Sequence, residues 1–224
     1  LEEGFWNLTI NDKARGYFAL SNASLCAPAG SARRLFWGDM HGQTRQTVGT
    51  GMLDDYYSFA RDKACIDFTG WQGNDFEVSD ETWRDIRDYT RKYDEEGKFL
   101  VYLGYEWSGT TPQGGDHNVY FLNDSEDFYP SSNWTATTVD NKNNANPITE
   151  LHEKLAGRED VLLIPHIGGR YGNLDYFNPA FSSVIEIHSH HGTFEWFAFD
   201  AMRRRMKVGF IAASDDHTCR PGLS

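Results

Sequence analysis

Six segments of the chain close an apolar run with a carboxylate, a histidine or a carboxamide: Asp39, His41 and Gln43; Asn74 and Asp75; Glu106; His166; His188; and Asp215 with His217. His117 opens a further apolar run, and most of the eight histidines fall at such places rather than along helices. Neutral imidazoles with a carboxylate able to bridge them suit borderline divalent metals such as Zn, Mn or Fe, whereas an all-oxygen set suits Ca or Mg. Metal-assisted hydrolysis is therefore the leading chemistry. Ser108 follows Glu106-Trp107 without glycine on both sides, so a nucleophile elbow is a poor fit. No glycine-rich turn has dinucleotide or P-loop spacing. For proton delivery to a leaving group the candidates are His217 and His188. Arg170 and Arg220, each in a Gly- or Pro-containing loop after a strand, are candidates to clamp an anionic group, and equally candidates to pair with the many carboxylates. Asp39 reads as a residue that orients a ligand, His190 and His191 as site or rim with the rim favoured, and Trp37, Trp71, Trp107 and Trp196 as core packing.

These groups need elements to position them. Leu35, Phe36 and Trp37 read as a short buried strand stopped by Gly38. Further strands are expected at Cys65–Trp71, Phe99–Tyr105, His117–Leu122, Val161–Pro165, Ser183–Ile187 and Val208–Ala213. Helical spacing marks Asp54–Lys63, a segment capped by Ser79 or Asp80 and carrying Trp83, Ile86 and Tyr89, the stretch Pro147–Gly157, and Phe194–Met206. His152 is placed on the solvated face of its helix. Strands separated by helices, with polar groups at the strand ends, are how a parallel α/β barrel presents a site. Asn123–Asn146, rich in Asn, Ser, Asp and Thr, reads as a long surface loop.

At 224 residues one domain is the default, here residues 35–224, preceded by an irregular arm, or the end of another domain, at 1–34. The excess of 33 acidic over 21 basic residues, a net charge of -12, sets the expectation of no nucleic acid, while Arg170 and Arg220 set that of a small-molecule, anionic substrate. No run is long enough for a membrane span, and the oligomeric state stays open. Three widely separated cysteines argue against a zinc knuckle and a disulfide scaffold. The chain starts at Leu1 without an initiator Met, so any targeting peptide is expected to be removed or never present. The sequons at Asn7, Asn22, Asn123 and Asn133 matter only in a glycosylating pathway. A soluble chain is expected, with a periplasmic or secreted setting favoured over the cytoplasm.

Gly38-Asp39-Met40-His41-Gly42-Gln43-Thr44, Gly104-Tyr105-Glu106, Pro165-His166 and Ser214-Asp215-Asp216-His217 resemble the ordered motifs of the polymerase and histidinol phosphatase (PHP) superfamily. Gln72-Gly73-Asn74-Asp75-Phe76, Gly114-Gly115-Asp116-His117-Asn118-Val119 and Gly192-Thr193-Phe194-Glu195-Trp196 resemble one branch of it, domain of unknown function 3604. The resemblance runs from about Leu35 to Gly222. It implies a distorted (β/α)7 barrel, metals at the carboxyl ends of the strands and phosphoester cleavage. Branch members are usually longer, so a fragment or single domain is expected. The superfamily's ligands fall on His41, Glu106, His117, His166, Asp215 and His217, with Gln43 in place of an imidazole. The histidine of its Thr-Asp-His segment is lost on Gln72-Gly73-Asn74. The resemblance thus implies a site at Glu106, His117 and His166, a weaker one at His41, Gln43, Glu106 and Asp215, and a third that is absent or rebuilt with Asp75 or His188. One or two ions are expected. The opposing expectation is a degenerate domain whose metal site does no chemistry.

Overall fold

A computed structural model of the chain describes residues 3–21, 23–28, 35–125, 127–131 and 143–223. Asn22, Asn133 and half of the Asn-rich loop lie outside the described residues. Two compact units are present, Leu1–Trp37 and Gly38–Ser224.

In the first unit β1 (Gly4–Trp6) pairs antiparallel with β4 (Ser24–Cys26), and β2 (Thr9–Asp12) with β3 (Tyr17–Leu20). Asp12 Oδ1 accepts the N–H groups of Ala14 and Arg15 at 3.1 Å each, which closes the second hairpin. Paired strands thus replace much of the irregular arm expected here. Ile10, Tyr17, Phe18 and Leu20 all stay exposed, so no inside-outside alternation marks these strands in the sequence. The expected strand Leu35–Trp37 is not formed: those three side chains are exposed, and the strand is the two-residue β5 (Gly38–Asp39) that follows.

The second unit is α/β. β5, β6 (Phe68–Gly70), β7 (Leu100–Ser108), β8 (Asp116–Phe121) and β9 (Val161–Pro165) form one curled sheet in chain order. β5, β6 and β7 are parallel, whereas β8 is antiparallel to both β7 and β9. The β7–β8 connection holds one short helical turn, Thr111–Gln113, and turns back on Gly114 and Gly115 at φ 133° and 76°. That is too short for a crossover helix, so the strands must run antiparallel. A three-stranded sheet of order β11 (Gly192–Thr193), β10 (Val184–Ser189), β12 (Gly209–Ala212) completes the unit, with α4 (Glu195–Arg203) joining the parallel pair β10 and β12. The strands thus make a curled half-barrel and a separate small sheet rather than an all-parallel ring.

α1 (Leu53–Phe59), α2 (Asp80–Tyr93) and α3 (Ile148–Lys154) complete the second unit, and Ser79 Oγ caps α2 by accepting the Thr82 N–H at 3.1 Å. α2 buries Trp83, Ile86, Thr90 and Tyr93, and Trp83 stacks on Phe128 with centroids 5.2 Å apart. Trp71 and Trp107 are fully buried as expected, but Trp37 and Trp196 are exposed. His152 is partly buried and stacks on Phe181 at 5.6 Å, not on a solvated face. Among the described residues no helix is long and apolar enough to cross a membrane.

Candidate metal centre

The loop after β5 carries His41 into the interior, because the buried Asp39 carboxylate gathers the chain around it. Its Oδ1 accepts the N–H of His41 at 3.3 Å and of Ser214 at 3.0 Å, and its Oδ2 accepts that of Gly222 at 2.8 Å. Gln43 N–H donates to Asp216 O at 2.8 Å, and Gly42 bridges Asp216, so the ends of β5 and β12 meet. Motifs 173 residues apart in sequence therefore face one another.

His41 is fully buried among carboxylates. Its Nδ1 lies 3.1 Å from Glu186 Oε1, while its Nε2 lies 3.2 Å from Asp215 Oδ1 and 3.7 Å from Glu106 Oε2. Burial disfavours a charged imidazole, but Asp215, Glu186 and Glu106 outweigh it and hold His41 well above the ordinary histidine range. The ring of His166 stands edge-on to that of His41 at 4.7 Å, and its Nε2 is 3.9 Å from Glu106 Oε1. Burial, then the neighbouring His41 and His117, hold His166 well below the ordinary range, so it is neutral and carries a lone pair. His41 Nε2, both ring nitrogens of His166 and Asp215 Oδ1 are buried without a hydrogen-bond partner. Such orphaned polar atoms in one place are costly unless something satisfies them.

Two sets of three ligand atoms fall within 4.8 Å of one another: His41, His166 and Glu186, and Glu106, Asp116 and His166. Donor atoms around a four-coordinate ion bonded at about 2.0–2.1 Å stand about 3.3 Å apart, close to the 3.2 and 3.7 Å separating His41 Nε2 from Asp215 and Glu106. The donor set therefore fits a divalent transition metal. Glu186 is best placed as the partner of His41: with Nδ1–H donated to it, an ion would displace the Nε2 proton and meet the lone pair facing Asp215 and Glu106.

Of the expected residues, His41, Glu106, His166 and Asp215 come together. Gln43 reaches the cluster, but its Nε2 donates to Glu106 Oε2 at 3.4 Å and its Oε1 accepts from Thr47 Oγ1 at 2.9 Å. A carboxylate only accepts, so the amide must turn its NH2 toward Glu106 and presents no oxygen to an ion. His117 is not brought in. Glu106 pairs with Asn118 and Trp107 with His117 across β7 and β8, which puts His117 on the opposite face of the sheet from Glu106. There it bonds Gly115 O through Nδ1 at 2.9 Å, and burial pushes its pKa down to about 4. Asp75 is also elsewhere: its carboxylate accepts the N–H of Ser131 at 2.5 Å and of Ser108 at 3.2 Å, and burial lifts it to about 7.

His188 is exposed and bonded to Thr193 Oγ1 at 2.7 Å, because a register shift between Glu186 and His188 turns it out of the strand's inward face. Arg220 is exposed, its guanidinium Nε on Thr218 Oγ1 at 3.0 Å. His217 is part-exposed beside Asp215, with Nδ1 on the Asp215 carbonyl at 2.7 Å. Arg170 pairs with Asp116 and reaches Glu106 Oε1 at 3.3 Å. Sequence reasoning missed Glu186, Asp116 and Asn118, whereas His191, read as rim, is exposed with Nε2 3.3 Å from Asp215 Oδ2. Asp116 and Asn118 flank His117 in the same motif, so β8's antiparallel sense was the missing signal. Glu186 sits inside an apolar strand, where only a buried partner justifies a carboxylate.

Uncharacterised proteins of Chlamydia trachomatis and Chlamydia pneumoniae are 21% and 18% identical over 96% of the chain, which spans 37% of their length. Among solved structures, a two-domain Bacteroides vulgatus protein containing a predicted PHP-like metal-dependent phosphoesterase matches with a TM-score of 0.51 at 14% identity, over 82% of this chain and 52% of that one. Endonuclease Q, in complex with a 27-mer duplex substrate with an abasic lesion at the active site, matches with a TM-score of 0.52 at 15% identity, over 82% and 49%. The expectation that charge excludes nucleic acid is thereby overturned, since a protein of this fold holds duplex DNA. The fold agrees with the PHP-like resemblance. The model of the family described as "Protein of unknown function (DUF3604)" matches residues 47–173, and the chain belongs to that family.

Proposed function

We propose that residues 35–224 form a metal-dependent hydrolase of phosphoesters or related esters, the two sheets being arcs of one distorted (β/α)7 barrel. The bridge between Gly42 and Asp216 supports the barrel reading. What carries the functional reading is the buried, unpartnered set of His41 Nε2, His166 and Asp215 Oδ1 beside Glu106. These four residues would hold a Zn, Mn or Fe ion. When bound, such an ion supplies Lewis acidity to an ester oxygen and makes water nucleophilic near neutral pH.

The remaining work falls to the chain itself. Glu186 keeps the His41 lone pair on Nε2, and Gln43 steadies Glu106 by donating to it. Arg170, part-exposed beside Glu106, binds an anionic ester oxygen. His217 donates Nδ1–H to the Asp215 carbonyl, so that as an imidazolium it would present Nε2–H at the rim and give that proton to the leaving group. That role belongs to His217 over His188, which is tied to Thr193 on the exposed side. A second reading, an ion-binding domain without catalysis, is favoured by Gln43 standing where the superfamily has an imidazole.

The test is metal content after mild purification, followed by a panel of phosphomonoesters, phosphodiesters including abasic duplex DNA, carboxylic esters and sulfate esters with added Mn, Zn or Fe. Bound transition metal and phosphoester turnover, both lost in Glu106→Ala, are expected. A chain that binds no such metal overturns the hydrolase reading. Bound metal without turnover on any ester favours the non-catalytic one.

A further inference from the structure

We propose that Arg170 takes the place of a second metal ion: Glu106 and Asp116 hold its guanidinium beside His166, and the chain holds a single ion next to it. This rests on the metal-hydrolase reading and fixes its ion count and substrate charge.

Glu106 is divided between two positive positions. Its Oε2 faces Gln43 Nε2 at 3.4 Å and His41 Nε2 at 3.7 Å, while its Oε1 faces Arg170 Nη2 at 3.3 Å. Asp116, fully buried, has both oxygens taken by Arg170: Oδ1 accepts from Nε at 2.5 Å and Oδ2 from the backbone N–H at 2.8 Å. The two buried acids thus meet at one guanidinium, Asp116 through Oδ1 and Glu106 through Oε1. The loop is built to deliver it. Ile167 bridges Tyr171, Gly172 N–H donates to His166 O at 2.9 Å, and a Cβ on Gly168 would come within 2.7 Å of Asp116 Oδ2.

A dication among Glu106, Asp116 and His166 would have to share Oε1 and Oδ1 with a group that stays charged at any pH of interest. Gln43, turned with its NH2 toward Glu106, withholds a further oxygen ligand. Glu106 therefore bridges an ion on the His41 side and a guanidinium on the Asp116 side. Arg170 Nη1 has no hydrogen-bond partner among the described residues, and the side chain is 31% exposed, so one edge of the fork is free for a substrate oxygen. A fixed fork beside one ion selects esters carrying two anionic or polar oxygens, phosphoesters over neutral carboxylic esters.

The deciding experiment is calorimetric titration of the whole chain with Mn or Zn, with metal content measured by plasma mass spectrometry. One ion is expected in the wild type and in Arg170→Lys, and a second, weaker ion in Arg170→Gln. Two ions in the wild type, or a single ion in folded Arg170→Gln, overturn the proposal while leaving the hydrolase reading intact; no ion in the wild type defeats both. Should Arg170→Gln not fold, electron paramagnetic resonance of the Mn-saturated wild type decides: an isolated six-line signal supports the guanidinium, and a spin-coupled Mn pair overturns it.

Discussion

Asp75 is a fully buried carboxylate held by hydrogen-bond donors, and it makes no ion pair within 4.0 Å among the described residues. It accepts hydrogen bonds from Ser131 and Ser108, and burial still lifts it from the ordinary 3.8 to about 7. Between those two values the unfolded chain has released a proton that the folded chain retains, so stability falls as pH rises through the window and levels off above it. The full span corresponds to roughly 4 kcal/mol. In Asp75→Asn the amide oxygen can accept the two N–H groups and its NH2 can face Ser131 Oγ. Urea midpoints of that variant at pH 5 and pH 8 should therefore differ less than those of the wild type, with metal content unchanged. Parallel pH dependence in the two proteins would rule out this account. Glu186 is the contrasting case, a buried acid that has found its partner in His41.

At the scale of elements, the sense of β8 decides which residues of Gly114-Gly115-Asp116-His117-Asn118 reach the centre. Neighbouring residues of a strand point to opposite faces, so a one-residue error exchanges the two sets. His117→Leu should accordingly keep the metal content of the wild type and cost about 1–3 kcal/mol for the Gly115 carbonyl left without its donor. A large drop in bound metal in a folded His117→Leu would contradict the register. The same reasoning says what was legible beforehand. Runs such as Val161–Pro165 and the capped pattern of α2 carry their own periodicity, and the residues closing them, His41, Glu106, His166 and Asp215, do converge. Strand direction and the irregularity between Glu186 and His188 depend on contacts distant in sequence. Hence Asp116 and Glu186 were hidden while His117 and His188 stood out.

Over the whole molecule, a net charge of -12 includes four buried acids, Glu106, Asp116, Glu186 and Asp215, gathered around one point. An ion that binds only the folded state at about a hundred times its Kd adds about 2.7 kcal/mol, which for a chain of this size raises Tm by about 5–10 °C. Thermal melts with Mn or Zn, against the same protein in a chelator, should show that gap in wild type and lose it in Glu106→Ala; coincident melts in wild type would mean no ion is held by the folded state.

The donors come from two banks: His41, Glu106 and His166 from the ends of the five-stranded sheet, and Asp215 with its neighbour Glu186 from the three-stranded one. His41 and His166 expose none of their surface, and the three carboxylates no more than 3%. On the proposed reading, neither an ion nor an ester would reach those atoms without the two banks parting. Arrival and departure would then be timed by that opening rather than by diffusion, and the expected outcome is a stripping rate that stops rising with chelator concentration.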